Sequence, residues 1–180
     1  MDMNMSREAG FGSAGQKITP FLWFDRNAEE AMNYYVSIFN GNPAKKSESR
    51  VVSIKRYPSD MQVGPLPDMA GKVLTGVFEL EGQQFMCLDG GPFFKPPGAI
   101  SFLVECQDQT EIDHFWEKLG AGGDPKLQQC GWLGDKYGFA WQIVPNMEPW
   151  LNNPDKEKVK RAMAAMLEMK KIVIKDLENA

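Results

Sequence analysis

Hydrophobic and polar positions along this chain follow two patterns in succession. Residues 17–24 form a run rich in β-branched and aromatic side chains, which is typical of a strand. Apolar residues then recur at helical spacing, at Ala31, Tyr35 and Ile38, after Asn27, a residue type that caps helices. The chain therefore predicts a strand followed by an amphipathic helix.

The same succession returns 81 residues later. Residues 99–106 have the composition of a strand, and Asp108 takes the capping place of Asn27. Glu111, three residues after Asp108, is its predicted partner in a capping box, as Glu30 is for Asn27. Core positions match at this offset as well: Tyr35 with Trp116, and Ile38 with Leu119. We interpret the agreement as an internal repeat of one structural module.

Strand-like runs follow each predicted helix. After the first helix they are residues 51–57, 72–80 and 83–90, and after the second they are 125–131, 131–135 and 139–145. The pair Glu81-Gly82 predicts a tight hairpin between two of them. The predicted fold class is α+β, with two paired βαβββ modules and a C-terminal helix. A sheet covered by one helix leaves its other face bare, so each module must be covered or bind a ligand.

The domain organisation follows from this repeat. We expect a flexible extension at 1–16, a domain at 17–146 with module one at 17–91 and module two at 98–146, and a helical tail at 147–180. Residues 157–171 predict a helix with apolar residues on one side, which either packs on the domain or forms a dimer contact. The connection 58–71 is too long for a hairpin turn and is either a lid or a crossover.

Composition and charge exclude several classes of protein. The apolar content of 43% and charged content of 24% are typical of a globular chain. A net charge of -4 without clustered Lys and Arg argues against nucleic acid as a partner. No apolar run is long enough for a membrane span, and no signal peptide is evident, so we expect a cytoplasmic protein. The three cysteines lack CxxC spacing, and we expect free thiols.

The stretches FLWFDRNAEEAMNYYVSIF, FMCLDGGPFFK and CGWLGDKYGFAWQIVP resemble the PhnB-like family, and the resemblance covers residues 17–171. Its members carry the name 3-demethylubiquinone-9 3-methyltransferase and belong to the vicinal oxygen chelate superfamily, with the glyoxalase, bleomycin-resistance and dioxygenase fold. The resemblance implies paired βαβββ modules, a homodimer, and a cleft that holds a divalent metal in better-known members. We do not adopt the methyltransferase name as chemistry, because the sequence lacks the strand, GxGxG-type loop and helix that cradle S-adenosylmethionine.

In metal-bearing relatives the ligands lie on the first and last strands of each module. The matching positions here are Pro20 and Ser101 on the first strands, and Cys87 and Gln142 on the last. Only Gln142 and Cys87 could coordinate, whereas a catalytic divalent site needs about three protein ligands. The resemblance therefore implies a metal site that is absent or degenerate, and we predict no cofactor. The histidine, His114, falls mid-helix and is predicted to be a surface residue.

Strand parity extends this candidate site. Leu22 and Phe24 share the face of Pro20, whereas Trp23 and Trp141 fall on the opposite face, toward the helices. The candidate ligand-binding residues are Gln142, Cys87, Ser101 and Phe24, with Asp89 and Trp132 at the rim. Cys87 is either a buried inert thiol or a nucleophile, although no histidine is placed to activate it.

Three hypotheses of function remain open at this point. The first is a small-molecule-binding protein whose aromatic side chains suit a planar or amphipathic ligand, with an unassigned reaction. The second is a metal-dependent lyase, isomerase or dioxygenase of the same superfamily, using Gln142 and Asp89 as unusual ligands. The third is a dimeric structural or interaction protein whose cleft is filled by its own side chains.

Overall fold

The structure, a computed structural model, describes residues 16–60, 63–96 and 98–180. The predicted flexible extension lies outside this part of the chain except for Gln16. The strands are β1 (Phe21–Phe24), β2 (Arg50–Arg56), β3 (Val73–Leu80), β4 (Gln83–Asp89), β5 (Ser101–Cys106), β6 (Trp132–Gly134) and β7 (Ala140–Pro145). The helices are α1 (Ala28–Asn40), α2 (Gln109–Gly120), α3 (Glu148–Leu151), α4 (Lys156–Glu168) and α5 (Ile174–Glu178).

The chain divides into two compact units. Within the described residues, the first comprises residues 16–40 and 45–95, and the second comprises 41–44 and 96–180. The first unit contains α1 and a four-stranded sheet of order β1-β4-β3-β2, in which β1 runs parallel to β4 and the other neighbours are antiparallel. The second contains α2 and a three-stranded sheet of order β5-β7-β6, with β5 parallel to β7. This arrangement confirms the predicted α+β class.

The core of the first unit lies between α1 and one face of its sheet. Met32 and Tyr35 of α1 are fully buried, and the Tyr35 ring stacks on Phe78 of β3 at 6.2 Å. A Cβ at Gly76 would lie 2.7 Å from the sulfur of Met32 and 2.8 Å from that of Cys87. Glycine at this position therefore lets α1 approach the sheet closely.

The predicted hairpin between β3 and β4 is confirmed. Glu81 and Gly82 both have positive φ, at 44° and 88°, as a two-residue turn with the twist of a type I′ hairpin requires. The longer connection 58–71 is closed at its base, where the Tyr57 N–H donates to the Lys72 carbonyl at 2.9 Å. It is thus a loop between antiparallel β2 and β3.

In the second unit α2 begins as the sequence predicts. Asp108 accepts a hydrogen bond from the Glu111 N–H at 2.9 Å, and Glu111 accepts one in turn from the Gln107 N–H at 2.6 Å. The predicted strand at 125–131 is not formed. Residues 125–127 make a 3-10 turn instead, because proline has no N–H for a sheet ladder and favours the first position of a helical turn.

The two units repeat each other at an offset of 80 residues rather than 81. The buried counterparts in the helices are Met32 with Ile112, Tyr35 with Phe115, and Phe39 with Leu119. In the strands, Leu22 lies beside Cys87 and Phe102 lies beside Trp141. The predicted equivalence of Tyr35 with Trp116 is therefore wrong by one residue, since Phe115 is the buried residue.

The C-terminal region packs on the second unit. The predicted helix over 157–171 is observed as α4, which Asp155 caps, and it ends at Glu168. Residues 169–178, here named the C-terminal strap, then run extended into α5. The Cys130 and Gly131 N–H groups donate to the carbonyls of Met169 and Lys170 at 2.8 Å and 2.7 Å. Within the described residues no helix is long and apolar enough to cross a membrane.

Candidate ligand-binding face

One face of the second unit's sheet is left open. The helix α2 packs on β7, and Trp141 and Ile143 point to that side, where both are buried. Alternate residues therefore point to the other side. This open face carries Ser101, Leu103 and Glu105 from β5, Ala140, Gln142 and Val144 from β7, and Trp132 and Gly134 from β6.

A hydrogen-bonded polar pair lies on this face. The Gln142 side-chain Nε2 donates to Ser101 Oγ at 2.7 Å. The serine hydroxyl proton and the Gln142 carbonyl oxygen then remain for a ligand. If the amide is turned over, the serine donates to Gln142 and the pair offers an acceptor and an N–H donor instead. Either orientation presents one donor and one acceptor.

Apolar side chains flank the pair. Leu103 lies opposite Gln142 across β5 and β7 and is 58% exposed. Trp132 lies opposite Gln142 across β6 and β7 and is half-buried. The sequence predicted Ser101, Gln142 and Trp132 as candidate site residues, and the structure brings these three side chains to one face. It missed Leu103, although the alternation within β5 that places Ser101 on this face places Leu103 there too.

The other predicted site residues lie elsewhere. Phe24, Cys87 and Asp89 were expected on the open face of the first unit's sheet, but all three lie on the face covered by α1. Trp23 was expected on the helix face and lies on the opposite one, because side chains alternate along the strand. There it packs edge-on against Phe94 at 4.9 Å. These assignments were wrong because the repeat was aligned one residue out of register, and a shift of one residue exchanges the two faces of a strand.

Asp89 joins three backbone segments of the first unit. Its Oδ1 accepts the N–H of Ala28, the first residue of α1, at 2.8 Å, and its Oδ2 accepts the N–H of Val73, the first residue of β3, at 2.9 Å. Its carbonyl oxygen accepts the Tyr57 hydroxyl at 3.1 Å. The side chain is only 1% exposed. Both oxygens of this carboxylate are therefore engaged in hydrogen bonds that stabilise the fold.

The surroundings of Cys87 make its thiol unreactive. The thiol is fully buried, and burial together with the neighbouring Asp89 charge raises its pKa to about 12. Burial also raises the pKa of the Cys106 thiol, with Glu111 adding to the effect. The thiolate is the nucleophilic form of cysteine, and with raised pKa values neither thiol forms a useful amount of thiolate near neutral pH. The inert interpretation of Cys87 agrees with this geometry.

The stretch WLGDKYGFAWQIVP builds a turn around one buried carboxylate. Asp135 Oδ1 accepts the N–H groups of Tyr137 and Phe139 at 2.8 Å and 3.0 Å, and Oδ2 accepts the Trp141 indole N–H at 2.8 Å. Gly138 sits in the turn with φ of 90°, which glycine adopts without strain. The motif thus sets the register of β6 and β7, which places Gln142 and Trp132 side by side.

The donor set does not fit a catalytic divalent metal. Among the described residues, no three His, Cys, Asp or Glu side chains are grouped so that they could hold an ion. Gln142 offers one amide on the open face, whereas Cys87 and Asp89 point toward α1. His114 lies on α2, with its ring edge-on to Phe115 at 5.2 Å.

A separate depression of about 380 Å³ lies at the start of α1. Its charges are largely paired within the protein: the two terminal nitrogens of the Arg56 guanidinium donate to the Glu29 carboxylate at 2.8 Å each, and this pairing lowers the Glu29 pKa. The Lys72 ammonium donates to the Arg26 carbonyl at 3.3 Å. We therefore place the candidate site on the open face of the second unit.

Comparison with known proteins agrees with the fold. A family model described as 3-demethylubiquinone-9 3-methyltransferase matches residues 16–144. A PhnB protein from Bacillus cereus that carries the same family name is 39% identical, with 72% of this chain and 99% of that one covered and a TM-score of 0.56. Protein PA1353 from Pseudomonas aeruginosa is 21% identical over 72% of this chain and 96% of its own, with a TM-score of 0.53. No curated protein matches the chain.

The family match spans most of the chain, and the similarity takes in nearly all of the Bacillus cereus relative. The protein from Pseudomonas aeruginosa, at its lower identity, supports the fold alone. The resemblance found in the sequence is therefore confirmed. The chain therefore belongs to the 3-demethylubiquinone-9 3-methyltransferase (PhnB-like) family, within the glyoxalase and bleomycin-resistance superfamily.

Proposed function

We propose that this protein binds a small planar or amphipathic molecule on the open face of the second sheet, without a catalytic metal. The observation that carries the proposal is the Ser101–Gln142 pair, set between Leu103 and Trp132 on an accessible face. Small-molecule sites are mostly apolar, with a few polar groups that orient the ligand. The indole of Trp132 supplies a flat apolar surface of this kind.

The methyltransferase name finds no support in the loops that precede the helices. The usual cradle for S-adenosylmethionine, the cofactor that this name implies, is a glycine-rich turn between a strand and a helix. Here α1 follows β1 through Asp25, Arg26 and Asn27, and α2 follows β5 through Gln107 and Asp108. We therefore propose binding or sequestration and assign no reaction.

The test is nuclear magnetic resonance of the five tryptophan indole N–H groups during titration with aromatic metabolites. Substituting Trp132→Phe identifies the Trp132 resonance. We expect saturable shifts at Trp132 and at the Gln142 side-chain amide, because both lie on the open face. The resonances of Trp23 and Trp141 should stay in place, since their N–H groups are engaged by Gly91 and Asp135.

Matched variants sharpen this experiment. Gln142→Leu should weaken binding roughly five- to tenfold through loss of a hydrogen bond. Gln83→Leu removes an exposed glutamine of the first unit and should leave binding unchanged. Ligand-dependent shifts confined to Trp23, or no saturable shift with any metabolite class, would refute the proposal.

The alternative function is a metal-dependent lyase, isomerase or dioxygenase of the same superfamily. It predicts stoichiometric Mn, Fe, Ni or Zn in protein purified without chelators. We expect substoichiometric metal, because Gln142 supplies a single amide ligand on the open face. A full equivalent of one metal that is lost in Gln142→Leu would favour the alternative.

We also propose a cytosolic homodimer. The thiols of Cys87, Cys106 and Cys130 are free, which suits a reducing compartment. Met163 and Leu167 of α4 are 43% and 57% exposed, and exposed apolar side chains of this kind suit a contact between copies. From the sequence, this α4 face is expected either to form a dimer contact or to pack on the domain. The third hypothesis, a purely structural dimer, differs in predicting no ligand response at Trp132.

A further inference from the structure

The open face carries a charge pattern that restricts its ligand. Its eight strand positions, all within the described part of the chain, include one charged side chain, the exposed carboxylate of Glu105. The remaining positions hold Ser101, Leu103, Gly134, Ala140, Gln142, Val144 and Trp132. An anion placed here would lose hydration without gaining a cationic partner from the face, and it would meet a like charge.

The polar pair adds a geometric requirement. Ser101 and Gln142 engage each other at 2.7 Å, so together they offer one donor and one acceptor side by side. A ligand that satisfies both must itself carry a neighbouring acceptor and donor. The carbonyl and N–H of a lactam or secondary cis-amide have this arrangement, whereas a carboxylate offers acceptors only.

The flanking surface fits the same ligand. Trp132 and Leu103 lie on either side of Gln142, one strand away on β6 and β5. Neighbouring strands are about 4.8 Å apart, so the two side chains border the amide closely enough to contact one ring system. A flat bicyclic body would therefore cover apolar surface on both sides while its polar edge meets the pair.

We propose that the open face selects uncharged planar molecules with a lactam-like edge and discriminates against anions. This inference rests on the proposed function and names the ligand class of that same site. Ser101 and Gln142 read the polar edge, Trp132 and Leu103 hold the ring body, and Glu105 disfavours carboxylates and phosphates.

Three bicyclic probes of similar size test the proposal with the full chain. They are 2-quinolone, which has the lactam edge, quinoline, which lacks it, and the anion quinoline-2-carboxylate. Affinities are measured by titration calorimetry at neutral pH, and the binding face is identified by the Trp132 indole resonance. We expect 2-quinolone to bind roughly tenfold more tightly than quinoline, as two hydrogen bonds would give.

Variants separate the contributions. Gln142→Leu and Ser101→Ala should reduce 2-quinolone affinity to the level of quinoline, while Gln83→Leu should leave all three affinities unchanged. Glu105→Gln should raise the affinity for quinoline-2-carboxylate roughly two- to threefold, since a screened surface charge contributes modestly. Circular dichroism of each variant verifies that it is folded.

The outcomes distinguish the two proposals. If quinoline-2-carboxylate binds at Trp132 more tightly than 2-quinolone, the open face is a binding site but the ligand class is wrong. If quinoline and 2-quinolone bind equally and Gln142→Leu changes neither, the pair does not read the ligand and the inference fails. If none of the probes shifts Trp132, both the ligand class and the aromatic-binding function are contradicted.

Discussion

Two buried carboxylates hold segments of this protein in place by accepting N–H groups. Asp89 accepts the Ala28 and Val73 N–H groups, and Asp135 accepts two turn N–H groups and the Trp141 indole N–H. Hydrogen bonds to a charged acceptor are stronger than those between neutral groups, and a buried one that is broken leaves donors unsatisfied. Both residues therefore act on stability and on strand register.

We predict that Asp135→Asn lowers the free energy of unfolding by about 3 kcal/mol, because an amide keeps one acceptor oxygen and turns its NH2 group against at least one of the donors that Asp135 now satisfies. Chemical denaturation monitored by tryptophan fluorescence measures this. Asp124→Asn is the matched control, since Asp124 caps only an exposed 3-10 turn. Equal, small effects in both variants would show that the Asp135 turn does not depend on its charge.

The cysteines should differ in reactivity. Cys87 and Cys106 are buried with raised pKa values, whereas Cys130 is partly exposed. With a thiol-reactive dye at mildly alkaline pH, we expect one fast equivalent, abolished by Cys130→Ala, and two more on unfolding. Rapid labelling that persists in Cys130→Ala would contradict the inert assignment of Cys87.

The positions of the predicted capping residues explain why half of the predicted site was misplaced. Asn27 and Asp108 stand 81 residues apart, but the core residues Met32 and Ile112 stand 80 apart. A cap marks where a loop ends, and loops tolerate an added residue that the packed core does not. Ser101, Gln142 and Trp132 all belong to the second module, so the error in offset does not separate them, and they lie on one face of its sheet.

At the scale of elements, the C-terminal strap completes the second unit. Ile172 and Leu177 are fully buried in it. The Gln109 side chain of α2 binds the strap at two points, donating to the Ile172 carbonyl at 3.1 Å and accepting the Ile174 N–H at 2.9 Å. The strap thus packs against α2 and adds to the contacts that α2 makes with the sheet of the second unit.

Ile172→Ala should therefore cost about 2–4 kcal/mol of unfolding free energy, through lost burial and the cavity left behind. Leu151→Ala, at a residue of α3 that is 43% exposed and lies outside the proposed dimer contact, should change stability by less than about 0.5 kcal/mol. Denaturant midpoints of the two variants provide the comparison. Similar midpoints would mean that the strap is not docked in solution.

An ion pair on the strap predicts a pH dependence. Lys171 contacts Asp113 of α2 at 2.6 Å, and hydrogen bonds from Lys171 and Gln109 lower the Asp113 pKa. A lowered carboxyl pKa contributes stability above the unfolded pKa of about 3.9, and the contribution is lost as pH falls through the folded pKa. Both side chains are partly exposed, at 36% and 49%, so we expect about 0.5 kcal/mol at neutral pH.

Lys171→Met tests this contribution. The variant should be slightly less stable than the parent at neutral pH and equal to it in acid, below the folded Asp113 pKa. Lys126→Met, at an exposed position, is the control and should show no such pH-dependent difference. A difference that persists unchanged in acid would assign the effect to lost packing of the lysine stem.

The strap could not be predicted from the pattern of the sequence. Its buried residues, Ile172 and Leu177, are five apart and fit neither strand nor helix periodicity. The helix was expected to run to Lys171, but Met169 turns extended, with φ of -84° and ψ of 148°. Docking on Cys130 and Gly131 therefore overrides the helix-forming composition of this stretch.

At the scale of the whole molecule, the two units are unequal versions of one pattern. The first has four strands and the second has three, and the stretch expected to form the missing strand contains Pro125. The repeat, both helices and the hairpin at Glu81-Gly82 followed from local sequence signals. The open face depends on which side α2 covers, which is a property of packing.

We predict a homodimer in sedimentation at micromolar concentration. The exposed Met163 and Leu167 of α4 are the proposed contact, so charging both, in Met163→Lys with Leu167→Lys, should shift the protein toward monomer. Glu157→Lys with Glu168→Lys, two charge-changing substitutions at exposed positions of α4, serves as the control. A parent protein that sediments as a monomer throughout would contradict the prediction.

The position of the strap in the chain also sets the order in which the units can fold during synthesis. The first unit is complete once Lys95 has been made, whereas the second lacks Ile172 and Leu177 until nearly all of the remaining 85 residues have followed. At about 5–20 residues per second, this delay is roughly 4–17 s. The open face would therefore mature later than the first unit, and for those seconds the uncovered side of α2 is the surface that chaperones would meet.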